Sequence, residues 1–241
     1  MSAATKLPPQ AHFINGKFTP AATGATFDAV NPYTETVTTQ VARGDAADVD
    51  NAVAAAKAAF DDGAWSRAPA SFRRKVLFKA ADLIEARSDE IIRLQTLEMG
   101  GPVGPAHPGP HPIMSRSAWN LRFFAEEQEQ AGDHAFNRDD SLLTYTMSDA
   151  AGVFGLITPW NAPIMLSTWK MAPCLAYGNS AVHKPSELSP LSIKILCEIF
   201  AEAGMPDGVY NVVHGLGKEA GVALVEHKDV IGMRVLAAAQ P

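Results

Sequence analysis

Three short polar clusters in the second half of this 241-residue sequence carry the residue types that nucleotide and carbonyl chemistry use. Thr158-Pro159-Trp160-Asn161 ends on a side-chain amide, a donor able to steady a developing oxyanion; the same asparagine could instead cap the helix that Pro163 opens. Lys184-Pro185-Ser186-Glu187 sets a cation and a carboxylate three residues apart, which suits hydrogen bonds to ribose hydroxyls. A solvated pair capping the next helix fits equally, with Ser186 to Ser189 as further caps. Gly215-Leu216-Gly217-Lys218-Glu219-Ala220-Gly221 is glycine-rich, but its G-x-G-x-x-x-G spacing is not the dinucleotide fingerprint. His107 and His111 are flanked by prolines with no acidic or thiol neighbour, so no metal site is expected there. Cys174 and Cys197 fall inside apolar helical stretches and read as buried structural thiols.

Each polar cluster follows a short apolar run, at 152–157, 180–183 and 209–213, and each is followed by a helical pattern, at 163–177, 190–203 and 217–226. Strands alternating with helices of that length imply right-handed crossovers on a parallel sheet. The expected fold is α/β: a doubly wound, Rossmann-like parallel sheet with helices on both faces, its ligands at the carboxyl ends of the strands. An α-rich segment and a projecting strand pair precede it. Asn15-Gly16 between apolar ends predicts a hairpin over 13–18. Asp48 is placed as the N-cap of a helix that Gly63 stops; Phe72, Val76, Ala80, Leu83 and Ile84 stripe a second helix from Pro69; a third spans 88–99. Five prolines and four glycines make 100–112 a loop, and helical character returns over 113–130. Residues 141–148 alternate, with Leu143, Tyr145 and Met147 on one face and hydroxyl residues on the other, which suits an edge strand or a contact between subunits.

Composition limits the function classes. Hydrophobic residues make up 47% and charged residues 19%, a globular balance with enough apolar material for a sizeable core. Twenty basic against 26 acidic residues leave a net charge of −6 without a dense basic run, so nucleic acid is not expected as a partner. Two cysteines cannot build a disulfide framework, the first 13 residues lack a signal-type apolar core, and no apolar run approaches a membrane span of ~18 residues. The expectation is a soluble cytoplasmic protein.

The stretch GVFGLITPWNAPIMLSTWKMAPCLAYGNSAVHKPSELSP, followed by AEAGMPDGVYNVVHGLGKEAGVALVEHKDV, closely resembles the aldehyde dehydrogenase superfamily. FINGKF, NPYTETV, AVAAAKAAF, TLEMG and NLRFFAE extend the resemblance over nearly all of the chain to about Val230. Within the family it is similar to enzymes oxidising hydroxymuconic or related semialdehydes. The resemblance implies that Asn161 holds the oxyanion of a thiohemiacetal. It implies that Ile157, Thr158, Pro159 and Trp160 wall the cofactor, and that Lys184, Ser186 and Glu187 contact the adenosine ribose. Gly217 and Gly221 would lie on the adenine side, with Lys218 where many members have proline. A glutamate accepting from both ribose hydroxyls implies NAD rather than NADP as cofactor. An aldehyde substrate and a homo-oligomeric complete enzyme are implied too, with 137–150 as the strand excursion that assembles it. After Val230 the sequence departs from the family pattern. The expectation is therefore an incomplete cofactor-binding domain over 1–241, without the catalytic domain, its cysteine nucleophile and its glutamate base. Such a chain would be inactive alone and bind NAD weakly, with a non-catalytic nucleotide-binding or assembly fragment as the alternative.

Overall fold

Asn15 and Gly16 both adopt positive φ, 50° and 74°, the conformation a two-residue hairpin turn requires. They join β1 (His12–Ile14) to β2 (Lys17–Thr19) in the expected hairpin. The computed structural model describes residues 6–101, 111–139 and 141–236. The hairpin does not stand apart from the second half: β1 pairs antiparallel with the strand of the third α/β unit through Phe13 and Val212.

That strand belongs to a six-stranded sheet. β7 (Val153–Thr158), β8 (Ser180–Pro185) and β9 (Tyr210–Val212) run parallel. The chain then doubles back to place β10 (Gly232–Val235) parallel to β7 on its other side. The order β10-β7-β8-β9-β1-β2 makes the sheet mixed rather than wholly parallel, because the amino-terminal hairpin extends it. Residues 232–235, expected to lie beyond the family pattern, thus form a regular strand whose carboxyl end registers Val235 against Ile157. The remainder of the departing tail, 237–241, lies outside the described residues.

Alternation along β8 shows why both faces are covered. Ala181 packs into the larger core with α5 (Pro163–Ala176) and α6 (Leu191–Ala203), while Val182 packs into a second core with α1 (Ala46–Asp62). α1 comes from the first half, so Val49, Val53 and Ala56 cover a sheet built by the second. On the opposite face, α2 (Ala70–Ala86) and α4 (Pro112–Gln130) pack beside α5 and α6, and α3 (Ser88–Met99) joins them through Ile91. Burial of this apolar surface, at ~25 cal/mol per Å², is what binds the α-rich half to the α/β half. Trp65 donates its indole N–H to Leu175 O at 3.0 Å, and buried Arg73 donates to Ala176 O at 2.8 Å; both bond carbonyls in the last turn of α5.

Several local expectations change. The N-cap of α1 is Asp45, not Asp48: Asp45 accepts from Ala47 N and Asp48 N, and Asp48 closes a capping box as the third helical residue. Asp48 also accepts from Ala22 N at 2.9 Å, which holds it inside the protein. Residues 217–226 are not one α-helix but a π-helical turn, Gly217–Gly221, followed by α7 (Val222–Glu226). The alternating segment forms only β6 (Leu142–Tyr145), paired with β5 (Ala135–Asp139) as a separate two-stranded ribbon. Leu142, Leu143, Tyr145 and Met147 are all exposed, so neither face of β6 is buried. The two-stranded pair β3 (Thr26–Asn31) and β4 (Thr36–Ala42) completes the described strands. His107 lies outside the described residues, whereas His111 caps α4 by accepting from Ile113 N. No helix among the described residues is long and apolar enough to cross a membrane.

Candidate functional site

Strand order reverses between β7 and β10, and an open α/β sheet presents its ligand crevice at such a switch, beyond the carboxyl ends of the strands. A cleft of ≈ 340 Å³ lies beyond the carboxyl ends of β7 and β8, next to that switch. Four residues singled out from the sequence line it: Ile157 from the end of β7, Lys184 from the end of β8, and Gly217 and Gly221 from the π-helical turn. Val222, Val225 and Glu226 of α7 form its far wall and had no signal in the sequence beyond the helical pattern. At Gly217 a Cβ would meet nothing within 4 Å, and at Gly221 only Lys184 Cδ, at 4.0 Å. Gly217 thus presents open surface at the cleft, and buried Gly221 lies beside the Lys184 stem.

Lys184 follows Val182 on the α1 side of the sheet, so its stem is buried and its ammonium emerges at the cleft. It donates to Glu187 Oε2 at 2.8 Å. Lys184 and the backbone N–H of Gly217 hold the Glu187 carboxyl below its ordinary value against the opposing effect of burial. Glu187 thus bridges the second and third polar clusters. It also lines an adjacent hollow of ≈ 320 Å³ with Trp160, Leu188 and Glu98. Trp160 Nε1 is buried there with no hydrogen-bond partner among the described residues, an N–H that an acceptor on a bound group would satisfy.

The capping alternatives weighed for these clusters fall away. α5 has Ala162 as its N-cap without a side-chain bond, and Asn161 is exposed with its amide free of the helix. α6 is capped by neither Ser186 nor Ser189. Glu98, at the end of α3, accepts from Leu191 N at 2.5 Å and from Ser192 Oγ at 2.6 Å. Burial pushes the Glu98 carboxyl up to about 7 despite those donors. Ser186 instead accepts from Leu188 N at 3.2 Å within its own loop.

Thr158 turns inward. Its hydroxyl meets His183 Nε2 at 2.8 Å, and His183 Nδ1 meets Tyr210 OH at 2.7 Å, so a buried polar chain ties the ends of β7, β8 and β9. Burial and the adjacent Lys184 hold His183 neutral, its pKa pushed down to about 3. His183 went unremarked in the sequence, although its place one residue from Lys184 puts it on the opposite face of the same strand. Pro159 is buried and Trp160 half-buried, so the loop leading to Asn161 is held from both ends. Cys174 and Cys197 are buried as expected; Cys174 Sγ lies 3.8 Å from Ser180 O, and burial pushes its thiol up to about 12. Neither is poised as a nucleophile.

Comparison with known proteins places this geometry. Residues 18–236 match the model of the aldehyde dehydrogenase family, and the chain belongs to that family. The match runs past Val230 into β10, further than the resemblance of the sequence strings suggested. The chain is 42% identical over 224 residues to 2-hydroxymuconic semialdehyde dehydrogenase of Pseudomonas sp. (strain CF600), covering 91% of this chain and 45% of that protein. It is 41% identical over 218 residues to the NADP/NAD-dependent aldehyde dehydrogenase PuuC of Escherichia coli (strain K12), covering 90% and 43%. The NAD+ complex of an aldehyde dehydrogenase from Bacillus cereus superposes with a TM-score of 0.89 at 38% identity, covering 93% of this chain and 45% of that one. The chain spans less than half the length of these relatives.

Proposed function

We propose that this chain supplies the cofactor-binding part of an enzyme that oxidises an aldehyde to a carboxylic acid with NAD. The observation that carries the reading is the convergence of Ile157, Lys184, Gly217 and Gly221 on one cleft beyond the carboxyl ends of β7 and β8. NAD, when bound, accepts the hydride that leaves the aldehyde carbon. The chain's own residues bind and orient. Lys184 and Glu187 hold a ribose edge, the two glycines admit the adenine side, and Trp160 Nε1 offers its unused N–H to an acceptor on the cofactor. Asn161, exposed at the end of its loop, donates to the carbonyl oxygen of the substrate as negative charge gathers there. The aldehyde is proposed to be a semialdehyde of the 2-hydroxymuconic type, on the strength of the semialdehyde dehydrogenases among the relatives.

Glu187 decides between the two nicotinamide cofactors, because a carboxylate accepts from a ribose 2′-hydroxyl and repels a 2′-phosphate. Calorimetric titration of the chain is expected to show tighter binding of NAD than of NADP. Glu187→Gln should weaken NAD by ~tenfold, the scale of a hydrogen bond to a charged group, and narrow the preference. Equal or tighter binding of NADP by the unaltered chain would overturn the cofactor assignment.

The ribbon β5–β6 supports an assembly role alongside. Phe136, Leu143, Tyr145 and Met147 are each more than half exposed on a ribbon that has no third strand among the described residues. An apolar ribbon of this kind marks a subunit contact. Replacing Leu143 and Tyr145 together with Lys should shift the species seen by light scattering to a smaller mass. An unchanged mass would remove the ribbon from the assembly.

A further inference from the structure

The π-helical turn that forms one wall of the cleft is held from outside the α/β half, by the link between β4 and α1. Gly44 N donates to His214 O at 2.9 Å. The two backbones meet at a pair of glycines: a Cβ on Gly44 would lie 2.7 Å from His214 O, and one on Gly215 would lie 2.8 Å from Gly44 O. Only residues without a side chain allow that approach. One residue earlier, Arg43 forks onto Glu219 inside the π-helical turn, with Nε to Oε2 at 2.8 Å and the second nitrogen to Oε1 at 2.5 Å. A two-point guanidinium–carboxylate contact fixes orientation as well as distance. π-helical turns are rare and recur at functional sites.

We propose that Arg43 and Gly44 are positioning residues for nucleotide binding. They brace the turn so that Gly217 and Gly221 face the cleft and Gly217 N–H reaches Glu187. The inference rests on the nucleotide reading of the cleft, but the brace itself does not need a ligand to be tested. Sequence gave no hint of it, because Arg43 and Glu219 are 176 positions apart.

The test is a charge swap in the full chain, read in two ways. Arg43→Glu and Glu219→Arg, singly and combined, are compared for amide hydrogen exchange over 216–222 and for affinity toward adenosine monophosphate by NMR titration. Each single variant should speed exchange in that segment and weaken the nucleotide by about fivefold, the upper end for a partly exposed pair. The combined variant should restore both. Gly44→Ala, which places a Cβ against His214 O, should speed the same amides without touching either charge. If the unaltered chain binds the nucleotide and the single variants bind it equally well, the positioning role is wrong. If the unaltered chain does not bind it, the nucleotide reading fails, and exchange alone decides the brace: single variants with unchanged exchange overturn it, and acceleration reversed by the swap upholds it.

Discussion

Asn161→Ala lowers turnover by ~10²–10³, the loss typical of one oxyanion donor, when residues 1–230 are joined to the carboxy-terminal half of the 2-hydroxymuconic semialdehyde dehydrogenase they resemble. The size of the effect follows from where the amide sits. It caps nothing, since the N-cap of α5 is Ala162 and carries no side-chain bond, so its removal leaves the helix intact. What is lost is a donor whose use is greatest when the carbonyl oxygen carries full negative charge, so KM for NAD stays near its starting value while turnover falls. Steady-state kinetics of the two chimeras check this. A variant with turnover within threefold of the parent would return Asn161 to an exposed loop residue with no part in the chemistry.

Acidification from pH 6.5 towards 5 destabilises the fold, because burial lowers the pKa of three imidazoles. His183 is pushed down to about 3 by burial and by Lys184. His12 and His214 are lowered as well, each chiefly by burial; Asp48 and Asp45 oppose the shift at His12, while His12, His183 and Lys184 reinforce it at His214. A histidine with a depressed pKa binds fewer protons folded than unfolded, so its contribution is present above the ordinary value of ~6.5 and is lost as pH falls through it. Glu98 works the other way. Its pKa is raised to about 7, so it holds a proton in the fold that it releases on unfolding, and its contribution is lost as pH rises from the ordinary carboxyl range through 7. The imidazoles outweigh the single carboxyl, so unfolding takes up protons near pH 5.5 and stability rises with pH there. Urea unfolding at half-unit steps of pH measures the slope directly, and His183→Gln should reduce it by one proton. A slope near zero between pH 5 and 6.5 would show that the imidazoles gain protons without unfolding.

The parts of this fold legible in the sequence are those set by local chemistry. Asn15-Gly16 demands its turn, Gly63 and Gly204 end their helices in the left-handed conformation, and the strand–loop–helix rhythm after residue 150 yields the parallel strands and the cleft at their ends. Spacing suggests Lys184 and Glu187 for a ribose, resemblance supplies the other residues expected at the cofactor, and four of the set share one cleft. What stayed hidden depends on distant partners. Asp45 displaces Asp48 as the cap because Asp48 is recruited by Ala22 N; Glu98 caps a helix 93 positions away; Thr158 turns inward because His183 receives it. β1 joins the sheet through one pairing with β9, which no pattern within either segment announces. The π-helical turn reads as an ordinary helix in the sequence, and the Arg43 that contacts Glu219 within it lies 176 positions away.

The cleft between β7 and the π-helical turn is the centre of this account, and a ¹⁵N-labelled sample of the chain titrated with NAD tests it most directly. Amide resonances of Ile157, Lys184, Glu187, Gly217 and Gly221 should move together along one saturable curve, with the indole N–H of Trp160 shifting as it gains an acceptor. Resonances that stay fixed at these positions at millimolar NAD, or that move only at sites remote from the switch point, would contradict it.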